Sequence, residues 1–214
     1  LFRVGGTLAG LAGSGLVVQN NGGDDLALAA NGVFTFATPL LNGSPYSVTV
    51  LTQPANPPQS CAVTNGSGVV TGTLVSVQIA CTTASYALVT ATAGTGAGSV
   101  TLDPAGGTYD HGTVVTVTNT PATGSTFTGW SGACSGAGSC TVTMDAAKTE
   151  TATFTLNIYD LTVVKDGTGT GSVSSDPIGS SFGHGTVVTL TATADTGSTF
   201  TGWTGSGCGG TCSR

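Results

Sequence analysis

The stretch Gly124-Ser-Thr-Phe-Thr-Gly-Trp130 returns letter for letter as Gly197-Ser-Thr-Phe-Thr-Gly-Trp203. Such an identity marks an internal repeat, and a repeat decides the fold before any single element is read. Followed outward, the shift of 73 residues holds without a gap from Tyr86-Ala-Leu and Tyr159-Asp-Leu to the two tryptophans. Gly98-Ser-Val pairs with Gly171-Ser-Val, Asp103-Pro104 with Asp176-Pro177, and His111-Gly-Thr-Val-Val-Thr with His184-Gly-Thr-Val-Val-Thr. A Gly-rich loop carrying two cysteines follows each tryptophan. Copy one runs on through Cys140-Thr-Val-Thr-Met144 and Thr149-Glu-Thr-Ala-Thr-Phe154, two alternating stretches that predict closing strands around a turn at Asp145. Copy two reaches Cys212-Ser-Arg214 roughly fifteen residues before the equivalents of those strands would end, so it is expected to be incomplete.

Residues 1–84 do not follow this pattern and predict a separate β-domain. Its strands are expected around Gly5-Gly-Thr-Leu, Gly15-Leu-Val-Val-Gln, Asp25-Leu-Ala-Leu, Gly32-Val-Phe-Thr-Phe and Tyr46–Thr52, followed by a cysteine hairpin. Asn-Gly pairs at Asn31, Asn42 and Asn65 mark chain reversals, since both residues tolerate positive φ. No window carries a 3.6-residue period long enough for a substantial helix. The expected architecture is all-β, in tandem small β-sandwich or β-rich modules: 1–84, 85–157 and an incomplete 158–214.

Composition narrows the function. Charged residues are 7% of the chain, against about 25% in an ordinary globular protein. The only permanent cations are Arg3, Lys148, Lys165 and Arg214, and the formal net charge is −6. Binding to a phosphate backbone has almost no electrostatic drive on such a surface, so nucleic acid is excluded as a partner. No stretch approaches the ~20 consecutive apolar residues of a spanning helix. A weakly charged surface repels itself little and tolerates close association between copies.

The six cysteines fall into three pairs, Cys61/Cys81, Cys134/Cys140 and Cys208/Cys212, one for each module. An even count in pairs favours disulfides and an oxidising compartment. His111 and His184 lie far in sequence from the pairs and no CxxC occurs, which argues against a metal site. Leu1 is not the start of a signal peptide, so the chain is expected to be mature or an internal fragment.

The remaining motifs divide between chemistry and structure. Trp130 and Trp203, flanked by Gly and Ser, could stack on sugar rings, although a Trp in a small β-module is more often the plug of the core. Each His precedes a strand and is expected in a turn with its ring exposed. The Asp110 beside His111 has Gly183 as its counterpart, which removes a catalytic pair. Gly94-Thr-Gly-Ala-Gly98 and Gly167-Thr-Gly-Thr-Gly171 lead into strands, where a phosphate loop would open a helix. Asn20, Asn21, Asp24 and Asp25 gather oxygen ligands without the spacing of an EF-hand and read as a solvated turn. No HExxH is present and no carboxylate pair stands in a convincing context, and neither catalysis nor a cofactor is expected.

The repeat resembles the divergent internalin B-repeat family of bacterial surface proteins. The resemblance rests on Gly98-Ser-Val, Asp103-Pro104, Gly112-Thr-Val-Val-Thr, Phe127-Thr-Gly-Trp130-Ser-Gly and the closing Thr-Val-Thr-Met and Thr-Ala-Thr-Phe pattern. It implies a small β-rich module on secreted or wall-associated proteins, serving as stalk or interaction domain and carrying no catalytic residues. Residues 4–81 resemble a repeat common in large bacterial extracellular proteins, which implies location and architecture. The function expected is therefore a non-catalytic, secreted or cell-surface structural segment of a filament, self-associating through an open β-edge. An adhesin stalk and a polysaccharide-binding accessory module are the alternatives. A strand around Leu1–Leu8 of a neighbouring subunit is the candidate to close copy two.

Overall fold

The short runs of Val, Thr and Ala bounded by Gly, Asn and Pro form strands throughout a computed structural model, which describes residues 1–72 and 75–205 together with the backbone of Cys208–Gly209 and Thr211–Cys212. The described residues contain no helix, and the chain is all-β. It falls into two compact units. One is Leu1–Val89 with Asp103–Thr116 and Thr141–Lys148; the other is Thr90–Leu102 with Val117–Cys140 and Thr149–Arg214. The first B-type copy thus contributes to both units.

The first unit holds an N-terminal sandwich. Its strands are β1 (Val4–Ala9), β2 (Leu16–Asn20), β3 (Asp24–Leu28), β4 (Gly32–Thr35), β5 (Pro45–Thr52), β6 (Gln59–Thr64), β7 (Ser67–Val69) and β8 (Val75–Thr83). They form two four-stranded sheets, ordered β4-β1-β8-β6 and β3-β2-β5-β7. Alternating side chains of both sheets meet in one core that includes Val4, Leu8, Val77 and Ile79 from the first sheet and Leu16, Val18 and Val48 from the second. Burying two inner faces in this way is what the period-two pattern of Val and Leu encodes.

The Asn-Gly reversals fall between strands as expected. Asn31 does more than turn the chain: its side chain accepts from the Leu11 amide (2.8 Å) and donates to the Leu11 carbonyl (2.9 Å). Two expectations are corrected. Cys61 and Cys81 lie opposite each other on β6 and β8, but the chain between them crosses to the other sheet as β7, so they do not bracket a simple hairpin. β1 is an inner strand, antiparallel to β4 and parallel to β8, with Val4 and Leu8 buried. Leu1–Leu8 therefore cannot serve as a free donor strand without unmaking the core of its own domain.

The first copy supplies β9 (Ser85–Ala93), β10 (Gly98–Asp103), β11 (Thr108–Asp110), β12 (Val114–Pro121), β13 (Ser125–Gly132), β14 (Cys140–Thr143) and β15 (Lys148–Leu156). Their sheets run β10-β12-β14 and β11-β9-β15-β13. The second copy supplies β16 (Ile158–Asp160), β17 (Gly171–Asp176), β18 (Ser181–Gly183) and β19 (Thr189–Ala194), paired among the described residues as β16-β18 and β17-β19. Beyond them β20 (Cys208–Gly209) pairs with β21 (Thr211–Cys212). Asp103–Pro104 and Asp176–Pro177 are both cis, so the copies share even this local geometry.

Candidate functional site

Phe127-Thr-Gly-Trp130 explains itself in β13. Residues three apart on a regular strand point to opposite faces. The β13–β15 ladder shifts register between Phe127 and Gly129, and this bulge turns both rings to one side, 5.0 Å apart. Phe127 also packs edge-on against Phe154 of β15, at 5.7 Å. Trp130 is buried, 5% exposed, and its amide donates to the Gly136 carbonyl at 2.7 Å. It is a core plug whose ring offers no free face to a sugar.

Phe154 is the residue around which this part of the first copy closes. It is fully buried, and the glycine loop Gly94-Thr-Gly-Ala-Gly98 is shaped to it. A Cβ on Gly94 would lie 2.0 Å from the Phe154 carbonyl oxygen, and one on Gly98 would lie 2.4 Å from its ring. The Gly96 amide donates to that same carbonyl at 3.0 Å, and the Leu156 amide to the Thr95 hydroxyl at 3.2 Å. The glycines give β15 room to lie against the loop while the polar groups hold it there. The loop is thus a strand cradle, and more than the hairpin turn its sequence suggests.

The second copy has the cradle without the strand. Gly167 adopts φ +98°, matching +97° at Gly94, yet no described residue lies within 4 Å of a Cβ built on it. A cleft of about 290 Å³ runs along Gly167, Gly169 and Gly171. Beside it a groove of about 410 Å³ is lined by Leu161, Val163, Val173 and Leu190, with Lys165 and Ser172 at its polar parts. Two of these apolar residues have buried counterparts in the first copy: Leu88 is buried where Leu161 is half-buried, and Val117 where Leu190 is half-buried, while Val100 and Val173 are half-buried alike. The pair Phe200–Trp203 keeps the 5.1 Å spacing of its twin, but Trp203 is half-buried and Phe200 is 45% exposed. Val164, at 81% exposure, adds apolar surface nearby.

The cysteine pairs behave as structural elements. Cys61 is bonded to Cys81 and Cys134 to Cys140; Cys208 and Cys212 lie outside the residues whose side chains are described. Sequence reading missed Glu150. This fully buried carboxylate sits within 4.8 Å of both Cys134 and Cys140 sulfurs, and one oxygen accepts from the Cys134 amide at 2.9 Å. The other oxygen has no hydrogen-bond partner. Both sulfurs are in a disulfide, so neither is the thiolate that a metal requires. Glu150 is separated by an ordinary loop from the cysteines, and nothing in its local sequence announces the contact.

The other candidates are dispersed. Asn20 is buried and its side-chain oxygen accepts from the Ser47 amide; Asp24 accepts from the Thr38 amide and Asp25 from the Gln19 side chain. One oxygen of each of Asn20, Asp24 and Asp25 is thus engaged within the sandwich, with Asn21 and Gly22 at positive φ forming the turn. His111 is half-buried beside Tyr86, with a buried Nδ1 that lacks a partner, which corrects the expectation of an exposed ring. His184 is exposed beside Tyr159, 6.0 Å between ring centres.

The family model of the divergent InlB B-repeat domain matches residues 86–158 and again 159–214. No curated protein and no solved structure matches the chain. The two matches divide within β16, immediately before Tyr159. A chain most of whose length is two consecutive copies of this module belongs to the divergent InlB B-repeat family, a bacterial surface-associated family of β-repeats.

Proposed function

We propose that this protein is a non-catalytic structural segment of a bacterial surface fibre, in which a β-strand from a neighbouring subunit completes the second B-repeat. The observation that carries this reading is the pair of glycine loops, one holding Phe154 and the other uncovered at Gly167, beside a groove that mixes Leu161, Val163, Val173 and Leu190 with serines and Lys165. Exposed strand edges and open cores favour the addition of a further strand, whose backbone hydrogen bonds supply affinity and whose alternate side chains supply specificity. The cradle specifies the incoming strand: small residues alternating with polar ones, and an aromatic ring where Thr-Ala-Thr-Phe154 places it. A head-to-tail contact of this kind does not close on itself and propagates as a filament. The disulfides are compatible with an oxidising, extracellular setting. Asp24, Asp25 and Glu150 each give an oxygen to a hydrogen bond that holds the fold, which suits a structural part for them.

The test uses the 214-residue chain and a peptide with the sequence of residues 148–157. Electron microscopy and size-exclusion chromatography are expected to show oligomers, and the peptide to dissolve them while blue-shifting Trp203 emission in a Trp130→Phe background. A peptide with Ala in place of the phenylalanine should bind at least about tenfold more weakly, given the ~3–5 kcal/mol typical of truncating a buried Phe. A monomer that ignores the peptide overturns the proposal and leaves the tandem stalk as the reading. Sugar stacking is disfavoured because Trp130 is buried and Trp203 is half-buried against Phe200.

A further inference from the structure

The turn that opens the repeated Gly-Ser-Thr-Phe-Thr-Gly-Trp motif carries a second function. In the first copy it is a built platform: the Ala122 amide donates to the Ala97 carbonyl (2.9 Å), the Ser125 amide to the Ala122 carbonyl (2.9 Å), and the Ala97 amide to the Ser125 hydroxyl (2.9 Å). On it sits the start of the second copy. The Asn157 amide donates to the Gly124 carbonyl at 2.8 Å, the Thr126 hydroxyl to the Asn157 side-chain oxygen at 2.6 Å, and the His184 amide to the Asn157 carbonyl at 2.8 Å. The imidazole of His184 lies directly on Gly124, where a Cβ would fall 1.9 Å from its Cδ2 and 2.1 Å from its Cγ.

The histidine end of this junction recurs one unit earlier. The Ala84 amide donates to the Pro58 carbonyl at 2.8 Å, and the His111 amide to the Ala84 carbonyl at 2.8 Å. Ala84 and Asn157 are one repeat apart, as are His111 and His184. The tyrosine beside each histidine stands at the same separation and tilt: 6.1 Å and 56° for Tyr86, 6.0 Å and 55° for Tyr159. Each B-repeat therefore presents the same plug, a linker amide and a histidine turn, to whatever precedes it.

The platform end recurs one unit later. The Asp195 amide donates to the Thr170 carbonyl (3.0 Å), the Ser198 amide to the Asp195 carbonyl (2.9 Å), and the Thr170 amide to the Ser198 hydroxyl (2.9 Å). Gly197 has φ +89°, against +77° at Gly124. No described residue lies within 4 Å of a Cβ at Gly197. Positive φ favours glycine but also admits Asn or Asp; a ring seated on the α-carbon admits glycine alone. We infer that Gly197 is the seat for the histidine turn of a further B-repeat placed in tandem after the second. The occupant is fixed by the junction already filled at Gly124, and the inference does not depend on which chain supplies the strand that closes the second copy.

The experiment extends the chain: residues 1–212 are followed by a second copy of residues 141–214, which completes repeat two and adds a third with its own tyrosine and histidine. Amide exchange is read at the third repeat's linker residue and histidine, the counterparts of Asn157 and His184. Replacing Gly197→Asn, which positive φ admits but a seated ring does not, is expected to speed exchange at both about tenfold or more, as for loss of the hydrogen-bonded contact. Gly124→Asn should do the same at Asn157 and His184. In the 214-residue chain Gly197→Asn should leave exchange elsewhere unchanged, which separates loss of docking from loss of folding. Replacing the third histidine by Ala is the second variant, with the glycine intact. Unchanged exchange in both variants, alongside a clear response to Gly124→Asn, overturns the inference.

Discussion

The two B-repeats begin as the same sequence and end as different structures. Over their shared strands, the same motif places Phe127 by Trp130 and Phe200 by Trp203 at matching distances, and the same turn is clasped by Ser125 and by Ser198. In the first copy, where β14 and β15 are in place, Val115 and Tyr109 are buried; their counterparts Val188 and Phe182 are half-buried among the described residues. Local geometry is thus set within each turn and bulge, whereas burial is set by strands that arrive last in the sequence. In a sheet ordered β11-β9-β15-β13, the last strand is an inner one. It pairs with two neighbours at once, whereas among the described residues of the second copy β16–β19 pair in twos.

The most direct way to break the comparison is to make the first copy resemble the second. Phe154→Ala empties the glycine cradle and is expected to cost about 3–5 kcal/mol, the loss of a buried aromatic plus the cavity it leaves. Denaturant unfolding should show this as a lower midpoint, and Trp130 emission should shift red toward that of a half-buried ring. An unchanged midpoint would mean that Phe154 does not organise the copy.

A finer comparison uses the matched glycines. Gly94 and Gly167 have the same φ within a degree, so alanine at either carries the same backbone strain. Only at Gly94 does the new Cβ meet a backbone oxygen, at 2.0 Å. Gly94→Ala should therefore destabilise by about 1–3 kcal/mol more than Gly167→Ala, the range for overpacking. Thermal unfolding of the two variants reads the difference. Equal effects would show that the positive φ, and not the strand, explains the glycine. Adding the 148–157 peptide should sharpen the result by making Gly167→Ala costly too.

Much of this was legible in the sequence. The repeat, its strands and the N-terminal sandwich follow from period-two alternation and from Gly, Asn and Pro at the turns, because those signals are local. The cradle was not. Gly94 and Gly98 look like turn glycines, and their reason lies at Phe154, some sixty residues on in a strand that returns to the sheet. Glu150 was hidden for a similar cause: an acidic residue on an alternating strand reads as solvent-facing until Cys134 is brought to its carboxylate. His184 was read as an exposed turn residue, which it is on one side, while Gly124 covers the other. The β1 strand misled because its Gly-Gly pair and terminal position suggest an edge, and its parallel pairing with β8 is a contact that no local pattern encodes.

The smallest expected effect lies in the turn between β14 and β15 of the first copy. Lys148 Nζ stands 2.8 Å from Asp145, and that hydrogen bond, with the cation's charge, holds the Asp145 carboxyl below its ordinary value. A carboxyl whose folded pKa is depressed contributes stability that is present above its unfolded value, about 3.9, and lost as pH falls through the folded one. The pair is exposed at Asp145, and solvent screens it. Asp145→Asn should therefore leave the unfolding midpoint at neutral pH nearly unchanged and flatten the acid limb only below the carboxylate range, with added salt erasing even that. A loss as large as that from Phe154→Ala would show that the turn, and not the seating of β15 in its glycine cradle, is what closes the repeat.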